Sequence, residues 1–237
     1  MPALREVTPA PFTERGKMFT IPTMIVPTLN GQDRINFLFN SFDYPIDQVV
    51  IINNGDEFVN NPRSQMVSRV DVIELPSNLG VAASWNLGIK VTPFSSWWLI
   101  VNDDVTFPPK ALARFNDHMN EFGAIGLSAV TAPWCAFGIS EHVVRSVGLF
   151  DEAFYPAYFE DTDYARRARE IMGDDIIYDT GIVVNHSNSS TISGGFTDHN
   201  NRTFHANHKT FEDKVSLNLF EPLGWQIDIR RANDWGI

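Results

Sequence analysis

The sequence is poor in cysteine. Cys135 is the single one in 237 residues, so no intrachain disulfide framework can form, and a reducing compartment suits the chain. It is also poor in positive charge. Eighteen Lys and Arg stand against 29 Asp and Glu, a formal net charge of -11. Sequence-independent binding to nucleic acid needs cations that neutralise phosphates, so the balance argues against nucleic acid as a partner while leaving room for a local basic groove. No run approaches the roughly 18 apolar residues of a membrane span. The opening stretch MPALREVTPAPFTERGKMFT lacks the apolar middle of a secretory signal. The expectation is a cytoplasmic protein without an integral membrane segment, in which the sequons Asn188-Ser189-Ser190 and Asn201-Arg202-Thr203 are chance matches.

What the chain has is alternation. Hydrophobic residues make up 43%, ordinary for a protein with a proper core. After a polar arm over residues 1–20, TMIVPTLN reads as a buried strand stopped by Pro27. In GQDRINFLFNSF, residues Ile35, Leu38, Phe39 and Phe42 recur at helical spacing. QVVIINNGD, VDVIELPSNLG and SSWWLIVNDDV are further apolar runs, separated by the helix-like VAASWNLGIKV. PKALARFNDHMNEF predicts a helix with Pro108 and Pro109 at its start. Strands alternating with helices predict an α/β domain whose central sheet is mostly parallel and flanked by helices. Ligands of such sheets bind beyond the carboxyl ends of the strands. Three of the runs end there in polar groups: Thr28, Asn53-Asn54 and Asn102-Asp103-Asp104.

The last of these is the oddest, because a run of large apolar residues delivers two carboxylates to its tip. Adjacent carboxylates beside a cleft suit Mg²⁺, which takes few protein oxygens and completes its shell with water and phosphate. Mn²⁺ accepts a histidine as well. An Asx-type turn that closes the strand is the competing use of the same residues. Further on, FEDTDYARRARE puts Glu160, Asp161 and Asp163 at the start of a helix and Arg166, Arg167 and Arg169 later, an order that complements the helix dipole. Capping and catalysis are both open for those acids. IIYDTGIVVNHSNSSTI reads as a strand ending at His186.

Taken in order, the polar-tipped first strand, NLGVAASWNLG, NDD, FEDTDY and VVNHS resemble the inverting, nucleotide-sugar-dependent glycosyltransferases of family 2. The likeness runs from about Thr23 to about Lys209. It implies a single domain of the A-type (GT-A) fold over residues 21–210, with a nucleotide-sugar-binding half (21–107), an acceptor and catalytic half (108–210), and a C-terminal tail (211–237). It also implies a divalent cation, Mn²⁺ or Mg²⁺, and a donor site made of Pro27, Thr28, Asn53, Asn54, Asn78, Gly80, Asn86, Asn102 and Asp103. Asp104 and His186 become metal ligands. Asp161, with Glu160 second, becomes the general base, and Asp163 a helix cap that orients its neighbours, with a contact to acceptor or diphosphate as its other candidate role. Trp134 stands where the family lines its acceptor cleft. Arg202, His205 and Lys209, in NRTFHANHK, stand where it closes over the diphosphate. Two positions depart from the family pattern, Asn53 and Asn102, each an amide where an acid is usual; the second departure is common in rhamnosyltransferase-like members. The implied reaction moves a sugar from a nucleotide-diphosphate sugar to a hydroxyl of a glycan or glycoprotein. A nucleotidyltransferase, or an inactive nucleotide- or carbohydrate-binding module, would share the sheet and the carboxylates. The first lacks support because no Gly-rich, basic phosphate loop lies near the N-terminus; the second because a binding module has no need of a base.

Overall fold

The computed structural model describes residues 20–187 and 197–223, with the backbone alone for 197–202. Its centre is a seven-stranded sheet in the order β3-β2-β1-β4-β7-β6-β8. Strands β1 (Ile21–Thr28), β2 (Ile46–Asn53), β3 (Val67–Glu74) and β4 (Trp97–Val101) are all parallel. β7 (Ala136–Ser140) pairs antiparallel with both β4 and β6 (Ile125–Leu127), and β6 pairs parallel with β8 (Ile177–Asp179). The sheet is therefore mostly parallel, as expected, with one reversed strand where its two halves meet.

β4 is buried along its whole length, and its side chains alternate between two cores. Trp97, Leu99 and Val101 point to the layer that holds Ile35, Leu38 and Phe39 of α1 (Gln32–Asn40) and Leu112, Phe115 and Met119 of α3 (Ala111–Phe122). Trp98 and Ile100 point to the layer of Trp85 and Ile89 from α2 (Val81–Val91), and of Val143, Val144 and Val147 from α4 (Glu141–Val147). A strand covered on both faces has no polar face, which is why this one reads as an unbroken apolar run. Both tryptophans serve packing.

Pro27 does not stop β1, which continues to Thr28. The amide of Asn54 donates to the Thr28 carbonyl (2.8 Å), so Thr28 bonds toward β2 and residue 27 faces β4, whose register with β1 ends at Ile25. The missing N–H of Pro27 thus costs no ladder bond. The single strand expected to end at His186 is two. β8 stays in the main sheet, the chain turns at Gly181 (φ 64°), and β9 (Asn185–His186) pairs with β5 (Val105–Thr106) in a separate two-stranded ladder. The acids of FEDTDY open α5 (Glu160–Met172), and α6 (Thr197–Leu217) runs across residue 210, where the catalytic domain was expected to end. The arm over 1–19 lies outside the described residues.

Candidate active site

The polar strand tips converge as the topology requires, and each does a distinct job. At the end of β1, Thr28 Oγ1 donates to Asp103 Oδ2 (2.5 Å), across 75 positions of sequence. The same oxygen accepts Arg34 Nη2 from α1 (2.9 Å), and that nitrogen also reaches the Leu29 carbonyl (3.0 Å). Bonds of this charge-assisted kind are among the stronger ones available to a side chain. Burial pushes the Asp103 carboxyl up, while Arg34 and Thr28 pull it back. Asp103 as a whole is buried, at 7% exposure. The cluster is packed to the limit around Gly31, where a Cβ would lie 2.3 Å from both Asp103 Oδ2 and Thr28 Oγ1 and 2.7 Å from Arg34 Nη2. Arg34 and Gly31 escaped the sequence reading because neither belongs to a local motif.

Asn102 leaves β4 with its amide bonded to the Cys135 carbonyl (2.8 Å) and its own carbonyl accepting Val105 N–H (3.2 Å). This tight turn aims Asp103 and Asp104 in different directions. Asp104 meets β9. The register pairs Val105 with His186, and His186 Nε2 lies 3.2 Å from Asp104 Oδ1, with both side chains nearly buried (12% and 8% exposed). A carboxylate oxygen and an imidazole nitrogen converging at this distance are a donor set that Mn²⁺ accepts. They leave its other positions to water and phosphate oxygens, so the residues present fit a divalent cation. No cluster of three or more His, Cys, Asp or Glu able to hold a metal occurs among the described residues. Cys135, buried nearby, is no candidate nucleophile: burial pushes its thiol up to about 11.

The second strand tip is architectural. Asn53 is fully buried; its Nδ2 donates to Glu74 Oε2 (2.5 Å) and to the Glu57 carbonyl (2.7 Å), and its Oδ1 accepts Gly55 N–H (3.0 Å). Asn54 Nδ2 donates to Ser84 Oγ (2.9 Å), and its Oδ1 accepts Leu79 N–H (2.9 Å). Asn78 Oδ1 caps Gly80 N–H (2.8 Å), the i to i+2 bond of an Asx turn. These amides fix the loops beyond the strand ends, and an acid at 53 would lose the donor that Glu74 receives. Asn86, expected at the donor, faces the core at 1% exposure, bonded to both the carbonyl and the amide of Phe150 and to Glu152 Oε1. Helix burial explains the difference: Asn86 shares its face of α2 with Ala82 and Ile89.

The acids of α5 divide in the same way. Asp163 is fully buried and ion-paired with Arg167 (2.8 Å) and with Lys214 of α6. It is a structural residue rather than an acceptor or diphosphate contact. Glu160 is 6% exposed, and its Oε2 has no hydrogen-bond partner among the described residues. Burial, with the neighbouring Asp161 charge second, pushes this carboxyl up to about 8. Asp161 is less buried, with Oδ1 accepting both the amide (2.7 Å) and the hydroxyl (3.2 Å) of Thr162. The two residues before these acids, Tyr158 (φ 77°) and Phe159 (φ 74°), are both left-handed, a conformation that costs side-chain-bearing residues about 1–3 kcal/mol each and clusters at functional sites.

The acid turn is hydrogen-bonded directly to the loop at Asn78–Val81. The Pro156 carbonyl accepts Val81 N–H (2.8 Å), and Tyr155 Oη donates to the Asn78 carbonyl (3.3 Å). Gly80 (φ 85°) is needed there, since a Cβ would meet the Pro156 oxygen at 2.8 Å. Trp134 packs edge-on against Phe137 (4.7 Å between centroids) and is half-buried. His205 and Lys209 are exposed on α6, Lys209 paired with Asp213 (2.8 Å). The side chain of Arg202 lies outside the described residues.

Known proteins share the sequence family and the fold. A galactofuranosyl glycosyltransferase of Leishmania donovani is 22% identical over 290 aligned positions, covering 90% of this chain. The chain spans 66% of the length of that relative. Residues 1–349 of S. aureus TarS superpose with a TM-score of 0.52 at 15% identity, over 69% of this chain and 59% of that one. Glucosyl-3-phosphoglycerate synthase of Mycobacterium tuberculosis, solved with Mn²⁺, UDP-glucose and phosphoglyceric acid, superposes with a TM-score of 0.54 at 13% identity, over 79% of each chain. These structures share the fold. The model of glycosyl transferase family 2 matches residues 23–168, more than half of the sequence, and the chain belongs to that family.

Proposed function

We propose that this chain is an inverting glycosyltransferase that moves a sugar from a nucleotide-diphosphate sugar to a hydroxyl of a glycan or glycoprotein. The observation that carries the reading is the joining of two carboxylate groups with different surroundings. The Asn102-Asp103-Asp104 turn, tied to Thr28 and Arg34, faces His186, while Glu160 and Asp161 stand on a separate turn hydrogen-bonded to the donor-side loop through Pro156. One set meets the diphosphate and the other the acceptor. Family membership, and the Mn²⁺ and UDP-glucose in the structure of the mycobacterial synthase, support a nucleotide-sugar donor and a divalent cation.

In this scheme Asp104 and His186 would hold a divalent cation, which would supply positive charge to stabilise the diphosphate leaving group. Asp103, held by Thr28 and Arg34, borders the ribose or sugar. Pro27, Asn53, Asn54, Asn78 and Gly80 frame the nucleotide by fixing loop backbone rather than by reading the base with their side chains. Asp161 takes the proton of the acceptor hydroxyl as that oxygen bonds to the anomeric carbon from the face opposite the leaving group; the bond from the same carbon to the diphosphate oxygen breaks, and the nucleoside diphosphate leaves. Burial pushes the Glu160 carboxyl up to about 8, so at neutral pH little of it is ionised and available as a base.

Melting curves with nucleoside diphosphates and nucleotide sugars, each with and without Mn²⁺ or Mg²⁺, test this directly. One base is expected to raise the melting temperature, and only with metal present. The gain corresponds to about 2.7 kcal/mol at a hundredfold excess over Kd. Asp161→Asn is expected to keep that shift and lose transfer. Failure of every nucleotide to shift the melt under either metal would sink the proposal.

A further inference from the structure

The motif NRTFHANHK contains a residue whose contacts the proposed function does not use. Asn207 is 4% exposed on α6, and its Nδ2 reaches the carbonyl oxygens of Tyr155 (3.2 Å), Ala157 (2.9 Å) and Tyr158 (3.3 Å). An amide nitrogen carries two hydrogens, so three acceptors around it make a shared fork that fixes the carbonyls relative to one another. The neighbours of Asn207 at helical spacing face the same turn. Phe204 packs against Tyr158 (5.4 Å between centroids) and Phe159 (5.2 Å), His208 against Phe159 (5.3 Å), and Phe211 stacks on Phe159 (5.8 Å). Positions 204, 207, 208 and 211 are one stripe of α6.

That turn needs a clamp. It carries the two consecutive left-handed residues, Tyr158 and Phe159, immediately before Glu160 and Asp161, and backbone of this kind persists only when its surroundings hold it. The same turn presents the Pro156 carbonyl to Val81 N–H and Tyr155 Oη to the Asn78 carbonyl. Its far side is therefore the donor loop.

We propose that Asn207 is a positioning residue: its fork on the carbonyls of 155, 157 and 158 sets the position of the Asp161 carboxylate relative to the donor loop at Asn78–Val81. The proposal rests on the assignment of Asp161 as base. Asn207 touches neither donor nor acceptor; it acts through the turn.

Asn207→Asp tests it, because the change is isosteric and replaces the donor with an oxygen facing three carbonyls. Hydrogen–deuterium exchange on the full chain without ligand is expected to quicken at least tenfold at residues 157–162 and also at 79–82, with β1, β2 and β4 unchanged. With the donor found by melting, nucleoside diphosphate release is expected to fall at least tenfold in kcat while the donor KM stays within twofold. Exchange that quickens in α6 alone, or evenly throughout the chain, would overturn the clamp. Exchange coupled as expected with kcat unchanged would overturn the positioning role. Should Asn207→Asp fail to fold, Asn207→Ala, which removes the donor without adding an oxygen, carries the same measurements. Absence of nucleotide binding by the wild type sinks the functional reading, whereas the exchange measurements decide the clamp in either case.

Discussion

Glu160 carries a burial cost that backbone hydrogen bonds offset only in part. Its carboxyl is pushed up to about 8 from an ordinary 4.5, so the folded protein holds a proton that the unfolded chain has released. Between those two values the folded state binds more protons than the unfolded state, and stability falls as pH rises. Above about pH 8 both states are ionised and the dependence ends. Glu160→Gln has no such proton. The stability of the wild type minus that of the variant is therefore expected to decline from pH 5 to pH 8 and then level off, read from urea unfolding at each pH; a flat difference would mean that the carboxylate is ionised in the folded state. At this scale the sequence was informative about residue type and poor about contact. The acids in FEDTDY were legible, yet Asp163 and Asp161, two positions apart, have opposite surroundings, because a helix turns about 100° per residue and only the packing partner decides which face is buried. Asn53, Asn54 and Asn86 were legible as polar groups in apolar runs. Apart from short-range bonds such as those of Asn53 to Gly55 and Glu57, what they bond to is backbone and side chains far away in sequence, which no local pattern encodes.

Among the elements, the start of α1 controls the first strand tip. Gly31 lies where a methyl group would intrude on Thr28, Asp103 and Arg34 together. Gly31→Ala is expected to cost about 1–3 kcal/mol through overpacking. It is also expected to shrink the metal-dependent nucleotide shift to less than half, measured by paired melting curves with and without ligand; a full shift in the variant would show that the Asp103 cluster has no part in donor binding. The regular elements themselves were readable. α2 spans the same residues as the apolar stretch VAASWNLGIKV, and β4 ends before Asn102, as the change from apolar to polar suggested. The misread elements are the ones whose limits depend on neighbours. β1 passes through Pro27 because β4 has already ended beside it, and β8 and β9 separate because two different sheets take the two pieces.

Over the whole molecule, a buried charge network fastens α6 and the residues after it to α5 and the segment that follows α4. Arg167, fully buried, donates to Asp163 (2.8 Å) and to the carbonyls of Val147 (3.1 Å) and Leu149 (3.0 Å). Lys214 pairs with Asp163 and Asp151, and the Leu223 carbonyl accepts Leu149 N–H (3.1 Å). Arg167→Met leaves three acceptors without their donor and is expected to cost about 3–5 kcal/mol in urea unfolding. Lys214→Met, with Arg167 still on Asp163, is expected to cost less; equal losses would show that the network does not centre on Arg167. The acidic composition and the scarcity of cysteine bear on partners and compartment, and the structure adds that no described helix is long and apolar enough to cross a membrane. The sequence by itself determined the α/β class, the order of the main strands and helices from β1 to α3, and the polar residues at strand tips, since each follows from the local period of apolar side chains and from short motifs. Only the tertiary structure decided that Arg34 and Gly31 belong to the Asp103 cluster, that His186 meets Asp104, that Asn86 and Asp163 face the core, and that Asn207 grips the acid turn. Those pairings join residues up to 82 positions apart, as between Asp104 and His186, and come from sheet order and helix docking, which exist only once the chain has buried its two cores.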